Sequence, residues 1–382
     1  LLAALAAIFI ATGARAYSGF ISVADPNLSY YRATVTETDN SQLALPDYGG
    51  ARAFGLQVLS LRIAQGPHEG ETVYVRNSVM PDSYIRPEVG DNVIVSVDVR
   101  EGGVIYALLT SYYRMPGLVF IGALFVLLLV GACGRKGVRA LFGLAFTMIA
   151  IIFFTIPRIY SGGSPIFYAV LTAIITSVAT LLLLNGYHKK TFVAATATIA
   201  GFCAAGLIFG AFSLIGQVSG YNTQSLGMLT YFSAETGLQI KDLLFAGVLI
   251  SSLGAVMDVS MSVASAVYEV YAGGGEHTVR SLFRAGMEVS KDTIGTMSNT
   301  LILAFTGGAL SGLIALTGYG IQPNRFFNSD FIAIEIGSGL SASAALILTA
   351  PAASIAAAVA YLKKHARRQP VAAGRAAKQP QN

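Results

Sequence analysis

A single carboxylate, Asp258, stands in the middle of an otherwise apolar run from Leu249 to Ser265. If that run is a helix across a bilayer, the acid lies near the midplane. An ionised group there costs at least about 2.5 to 3.5 kcal/mol, so such a residue faces a polar cavity or a partner and marks an ion or substrate path. At 100° per residue, Ser251, Asp258, Ser262, Ser265 and Glu269 fall on one stripe of this helix. The next apolar run repeats the pattern with Asp292, Thr296, Asn299 and Thr306, and the last one carries Glu335 and Ser338 near its start. A polar stripe on a membrane helix meets protein or water, not lipid. Packing the two striped helices together would therefore create a shared polar seam.

Depth gives these groups an order. Glu269 follows Asp258 by about 16 Å along the helix, and Asn299 lies about 10 Å beyond Asp292 on a helix running the opposite way. Glu335, Asp258, and Glu269 with Asp292 then form a ladder of oxygens through a low-dielectric layer, as a proton or cation route requires. In the plainer reading, Glu269, Asp292 and Glu335 cap helix ends and only Asp258 is unusual. An intramembrane hydrolase pairing Asp258 with Asp292 is disfavoured. Those acids are expected about 15 to 20 Å apart, too far for a carboxylate pair to share a proton.

The elements that must position these groups follow from composition. Of 382 residues 54% are hydrophobic and 12% charged, against about 25% charged in soluble domains, so the chain is an integral membrane protein. Apolar windows long enough to span hydrocarbon fall near 117–133, 138–156, 166–184, 192–214, 243–268, 294–317 and 336–361. The opening run, Leu1 to Ile10, adds an eighth span as an anchor; a cleaved signal segment ending near Ala14-Arg15-Ala16 is the competing reading.

Arg135, Lys136, Arg139, Lys189, Lys190, Arg280, Arg284, Lys291 and the tail bases from Lys363 to Lys378 fall in alternate connections. The intervening ones hold only Arg158, Lys241 and Arg325. The positive-inside rule puts the basic loops and the C-terminus in the cytoplasm and the segment 17–115 outside. The net charge of +5 is thus explained by orientation, and no nucleic-acid partner is implied. A long connection from Gly216 to Asp242 suggests an external lid, and mixed apolar and charged residues between Glu276 and Ser290 suggest a short interfacial helix.

From Tyr30 to Tyr113 the pattern changes to alternating apolar and polar residues punctuated by Gly, Pro, Asp and Asn. Strands are predicted at 32–37, 54–63, 71–75, 92–99 and 104–110, with Glu88-Val-Gly-Asp91 as the turn before the fourth. Five strands of this length suggest a small barrel of OB type. Between Tyr30 and Arg114 ten acids face seven arginines, which argues against a polyanionic ligand.

No P-loop, nucleophile elbow, H-E-x-x-H or Cys-His metal spacing is present. Cys133 and Cys203 supply no disulfide framework, and His68, His188, His277 and His365 are scattered. The sequence thus predicts neither an enzyme nor a bound metal or cofactor.

Gly254-Ala-Val-Met-Asp-Val-Ser-Met-Ser-Val-Ala-Ser265 with Glu269, and Asp292-Thr-Ile-Gly-Thr-Met-Ser-Asn-Thr-Leu-Ile-Leu303, resemble signature stretches of the bacterial YibE/F-like membrane proteins. The likeness extends to the order of parts: a first span, an extracytoplasmic β module, then about seven helices. It implies a multi-pass protein of the bacterial inner membrane, with Asp258, Glu269, Asp292 and Asn299 at matching motif positions. The family is described no further than as transporter-like, so the resemblance implies topology more than chemistry.

The expected fold is a membrane all-α bundle of about eight transmembrane helices with a small extracytoplasmic all-β, OB-like barrel domain after the first helix. The expected parts are an N-terminal anchor at 1–16, the β domain at 17–115, the helical domain at 116–362, and a disordered basic tail at 363–382. The expected function is a secondary transporter or channel-like permease whose partners are the lipid bilayer, a small solute, proton or cation, and further copies of the chain in a homo-oligomer. Asp258 would be the proton or cation site, Asn299 a neutral oxygen beside it, Glu269 and Asp292 the cytoplasmic exit and Glu335 the outer entrance. Ser251, Ser262, Ser265 and Thr296 would line the route. The alternative is an envelope assembly or sensor protein whose β domain binds a partner while the buried acids hold helices in register.

Overall fold

The computed structural model describes residues 2–20, 28–44, 53–80, 85–100, 103–220, 230, 233–234, 237–274, 276–318 and 320–376. The chain divides into two compact units. One comprises Leu1–Ala16 with Cys133–Asn382, the other Tyr17–Ala132.

The smaller unit is built on an antiparallel sheet of β1 (Leu28–Ala44), β2 (Phe54–Ile63), β3 (Thr72–Val79), β4 (Asn92–Arg100) and β5 (Gly103–Tyr112), in the order β3-β2-β1-β4-β5. The predicted strands are all present because alternation buries one face: Val35, Leu59, Leu61, Val75, Val93, Val95 and Val97 form its core. β1 serves two partners. Leu28 to Thr34 pair with β4 and Ala33 to Ala44 with β2, and bulges between Val35 and Glu37 and between Asp39 and Gln42 bend the part paired with β2. Gly90, at φ 94°, makes the turn predicted before β4.

Gln57, fully buried, donates from Nε2 to Asn40 Oδ1 (2.8 Å), Pro87 O (3.0 Å) and Thr38 Oγ1 (3.1 Å). Asn77 Nδ2 donates to Gln57 Oε1 (3.0 Å) and Ile85 O (2.7 Å). The closed barrel is not formed. The sheet is a half-barrel, and among the described residues no ladder joins β3 to β5. Gln57 and Asn77 instead pin the chain at Ile85 and Pro87 across the sheet by side-chain bonds. This unit also contains nearly all of α2 (Met115–Cys133), apolar on every side, which the sequence placed with the helical domain.

The larger unit is helical. It contains the first part of α1 (Leu2–Phe20), α3 (Arg135–Ala150), a π-helical turn (Ile151–Thr155), α4 (Ile156–Tyr160), α5 (Pro165–Asn185) and α6 (Lys189–Ile215). After these come α7 (Ile240–Ala272), α8 (Val279–Gly308), α9 (Leu310–Gly318), α10 (Pro323–Phe327) and α11 (Asp330–Ala376). Among the described residues six helices are long and apolar enough to cross a membrane; the bent pair α8 and α9 makes a seventh if counted as one span.

The helix α11 packs against α6, α7 and α8. Its contact face is made of small residues, among them Ala345, Ala350, Ala353, Ala357 and Ser354, all fully buried. Lipid tails are as apolar as leucine, so helix association rests on close van der Waals approach, which small side chains permit. A buried hydroxyl without a partner costs several kcal/mol in hydrocarbon. Ser260, Ser290, Thr349 and Ser354 avoid this by donating to Val256, Gly286, Ala345 and Ala350 carbonyls of their own helices at 2.6 to 2.8 Å.

On α1, Phe9 stacks on Phe154 (4.7 Å between centroids) and meets Phe146. The π turn lies in the same region and brings Thr155 against Thr172 of α5.

Several boundaries differ from those the sequence suggests. The span expected at 294–317 is broken, with α8 and α9 meeting at 56°; Gly307-Gly308 ends α8, while hydropathy continues through the bend and hides it. The interfacial helix expected between Glu276 and Ser290 is the first half of α8 itself. A capping box in which Thr278 Oγ1 accepts from the Ser281 amide starts the helix at Val279. The basic segment after 362, expected to be disordered, is helical as far as Ala376. About half of the expected external lid, at 221–229, 231–232 and 235–236, lies outside the described residues.

Candidate functional site

The helices α7 and α8 hold the residues singled out by charge. α7 is turned by its apolar positions: Val248, Leu249, Val256, Val259, Val263 and Val267 are buried, fixing one face against α6 and α11. The opposite face then carries Gly247, Ser251, Gly254, Asp258, Ser262 and Glu269, all exposed, with Ser265 half-buried at its margin. On α8, Leu282, Gly286 and Ser290 are buried. Asp292, Gly295, Thr296, Asn299 and Thr306 are exposed.

The two polar faces are therefore exposed and not closed against one another. α7 and α8 do pack together, but Met257 and Met261 of one and Ile294, Met297 and Leu301 of the other are the residues set against the shared core. Periodicity identifies which residues share a face but not what that face meets. Among the described residues, the carboxylates of Asp258, Glu269 and Asp292 and the amide of Asn299 have no hydrogen-bond or ion-pair partner. The hydroxyls of Ser251 and Thr296 turn back onto Val248 O (2.9 Å) and Asp292 O (3.1 Å). The additional bare positions are the glycines: a Cβ on Gly247, Gly254 or Gly295 would meet nothing within 4 Å.

Glu335 belongs to a different place. It lines a cavity of about 250 Å³ with Thr306, Phe305, Phe326 and Ile332, beside the break between α8 and α9. The structure thus joins Glu335 to Thr306 and leaves Asp258 elsewhere. The break was the missed signal; its sequence mark is the glycine pair at 307 and 308. Irregular backbone at membrane depth is tolerated where it is buried in protein or lines a cavity, and Glu335 and Thr306 are the polar groups of this one.

A third feature lies between α3, α5 and α7, one turn from Asp258. Gly254 and Met257 form one wall of a cavity of about 330 Å³, and Thr147, Thr172, Thr176, Ser177 and Thr180 the others. Thr147, Thr176 and Ser177 donate to Gly143 O, Thr172 O and Ile174 O at 2.8 to 3.1 Å, so this lining presents methyl groups and already-committed hydroxyls.

A family model described as YibE/F-like protein matches residues 121–363, which contain all of these helices from α3 to the buried part of α11 and most of α2. The chain belongs to the YibE/F-like family. The match includes Asp258, Glu269, Asp292, Asn299 and Glu335 and excludes the sheet, so the YibE/F-like part of the chain is its helical part. No curated protein and no solved structure matches.

Proposed function

We propose that this chain is a subunit of a secondary transporter or channel-like permease, with Asp258 as its proton or cation site. The supporting observation is the exposed polar face of α7, with a carboxylate at mid-helix and glycines and serines above and below it. In a bilayer such a face must meet water or protein. Gly247, Gly254 and Gly295 leave room for another helix to approach closely. In this reading a second copy of the chain covers the face, and the route for the proton, cation or small solute runs between copies. Asn299 supplies a neutral oxygen, Glu269 and Asp292 flank one end, and Glu335 with Thr306 forms a separate vestibule at the broken helix.

The topology proposed with it counts α1 and the α8–α9 pair as spans. That gives eight, with both ends in the cytoplasm and an OB-like sheet domain on the outer side of the bacterial inner membrane, the arrangement favoured by the loop charges. The direct test is ion flux in proteoliposomes, followed with a pH-sensitive dye under an imposed gradient. Asp258→Asn removes the titratable group while keeping the shape, and is expected to abolish proton-coupled flux. Unchanged flux in that variant would remove Asp258 from the mechanism. The assembly or sensor alternative gains if the wild type conducts nothing and a separate protein co-purifies in fixed ratio.

A further inference from the structure

At the end of the bundle where α5 ends and α6 begins, a cavity of about 440 Å³ is lined by Tyr187, His188, Lys189, Lys190, Tyr268, Tyr271 and Tyr361. Three segments far apart in sequence build it: the α5–α6 connection with the start of α6, the last turns of α7, and α11. No carboxylate is in the lining. Lys189 and Lys190 are the first residues of α6, and His188 in the cap position makes no side-chain cap bond. The first residues of that 27-residue helix, at the positive end of its dipole, therefore border the same space.

The second observation is Tyr361. Its ring is held by Tyr271, stacked at 5.5 Å and 18°, and by Tyr268 at 5.6 Å. It is 1% exposed, yet its hydroxyl has no hydrogen-bond partner among the described residues. Buried polar groups are nearly always paired, and an unpaired hydroxyl on a residue that lines a cavity calls for an acceptor there.

We infer that this cavity binds a phosphate-bearing anion. Two ammonium groups and a helix N-terminus supply the charge, and phenolic hydroxyls donate to several oxygens at once. A phosphate group, with three or four strong acceptors, matches that donor set. The volume also suits a phosphorylated headgroup or solute. The same chemistry is offered by an anionic phospholipid at the membrane surface and by a soluble phosphate compound. This site is separate from Asp258 and does not depend on the permease reading.

The test uses the purified full-length protein in a neutral detergent. Native mass spectrometry measures binding of short-chain phosphatidylglycerol against short-chain phosphatidylcholine, and calorimetry measures binding of inorganic phosphate. Lys189→Gln/Lys190→Gln is expected to weaken anion binding by about tenfold or more. Tyr361→Phe, which keeps the stacked ring, is expected to weaken it severalfold with an unchanged melting temperature. Selective phosphatidylglycerol binding that both variants lose identifies a lipid headgroup site. Phosphate binding lost in both variants identifies a site for a soluble phosphate compound. If the wild type binds neither probe, or binds as the variants do, the inference is overturned.

Discussion

The crossing of α8 with α11 and α7 offers a sharp test of the helical unit. A Cβ added at Gly286 would stand 2.5 Å from Ser354 Oγ, 2.8 Å from Val267 Cγ2 and 2.9 Å from Ser354 Cβ. Ser354 and Val267 are both fully buried, and Ser354 Oγ already donates to Ala350 O at 2.8 Å. Gly286→Ala therefore forces the helices apart or turns Ser354 off its acceptor. Overpacking of this kind costs about 1 to 3 kcal/mol, and a buried hydroxyl deprived of its bond about 1 to 3 kcal/mol. Against these stands about 1 kcal/mol from replacing a helical glycine by alanine. A net loss of about 2 kcal/mol is expected, read as a drop in midpoint of about 4 to 8 °C in thermal unfolding of the detergent-solubilised protein. Gly286→Ala/Ser354→Ala should recover about 1 kcal/mol or more of that loss, because the two positions are in contact and their effects do not add. If Gly286→Ala melts with the wild type, the reasoning fails at its first step, since no close crossing exists there to disturb.

Gly254→Ala is the converse case. Nothing lies within 4 Å of its Cβ position, so the single chain should melt no lower than wild type; if a second copy packs on that face, the dimer fraction in size-exclusion with light scattering should fall. Ser262→Cys in a chain carrying Cys133→Ser and Cys203→Ser should form a disulfide-linked dimer in native membranes, and its failure to do so under oxidation would count against copies meeting along α7. In the sheet unit, Gln57→Leu deprives Asn77, Asn40 and Pro87 O of a buried partner; a loss of about 1 to 3 kcal/mol is expected in chemical denaturation. Asp39 accepts from the Ser41 amide at 2.9 Å, which holds its carboxyl below the ordinary aspartate value. The sign follows: the bond favours the folded state above the unfolded-state pKa and its contribution is lost as pH falls through the lower folded value. Carboxyl NMR should show Asp39 titrating low and returning toward the ordinary value in Ser41→Pro.

The strands were legible because a two-residue alternation with Gly-marked turns leaves few competing patterns; Leu59, Leu61, Val93 and Val95 could be placed on the buried face from spacing alone. That the sheet stops at a half-barrel was not legible, since alternation along a strand does not say whether the edge strands β3 and β5 pair. On α7 the polar stripe was legible and its surroundings were not. The buried valines at 256, 259, 263 and 267 fix Asp258 outward only once α6 and α11 are in place. The bend after Gly308 was hidden because Ala309 and Leu310 keep the hydropathy high. The tyrosine-lined cavity was invisible for another reason: Tyr187, Tyr268 and Tyr361 come from three distant segments, and no local spacing relates them.

The π turn at Ile151–Thr155 has a consequence for the length of the chain around it. A turn closed by five residues in place of four holds one residue more than a regular helix needs. Deleting one residue there would restore a regular turn with little change of angle, whereas winding the same residues into a regular helix would rotate everything after the turn by about 100° relative to everything before it. In such a helix Phe146, before the turn, and Phe154, within it, which both address Phe9, would point in different directions. The wide turn thus acts as a phase adjuster: it absorbs a surplus residue so that Phe146 and Phe154 stay in angular step with a single neighbour.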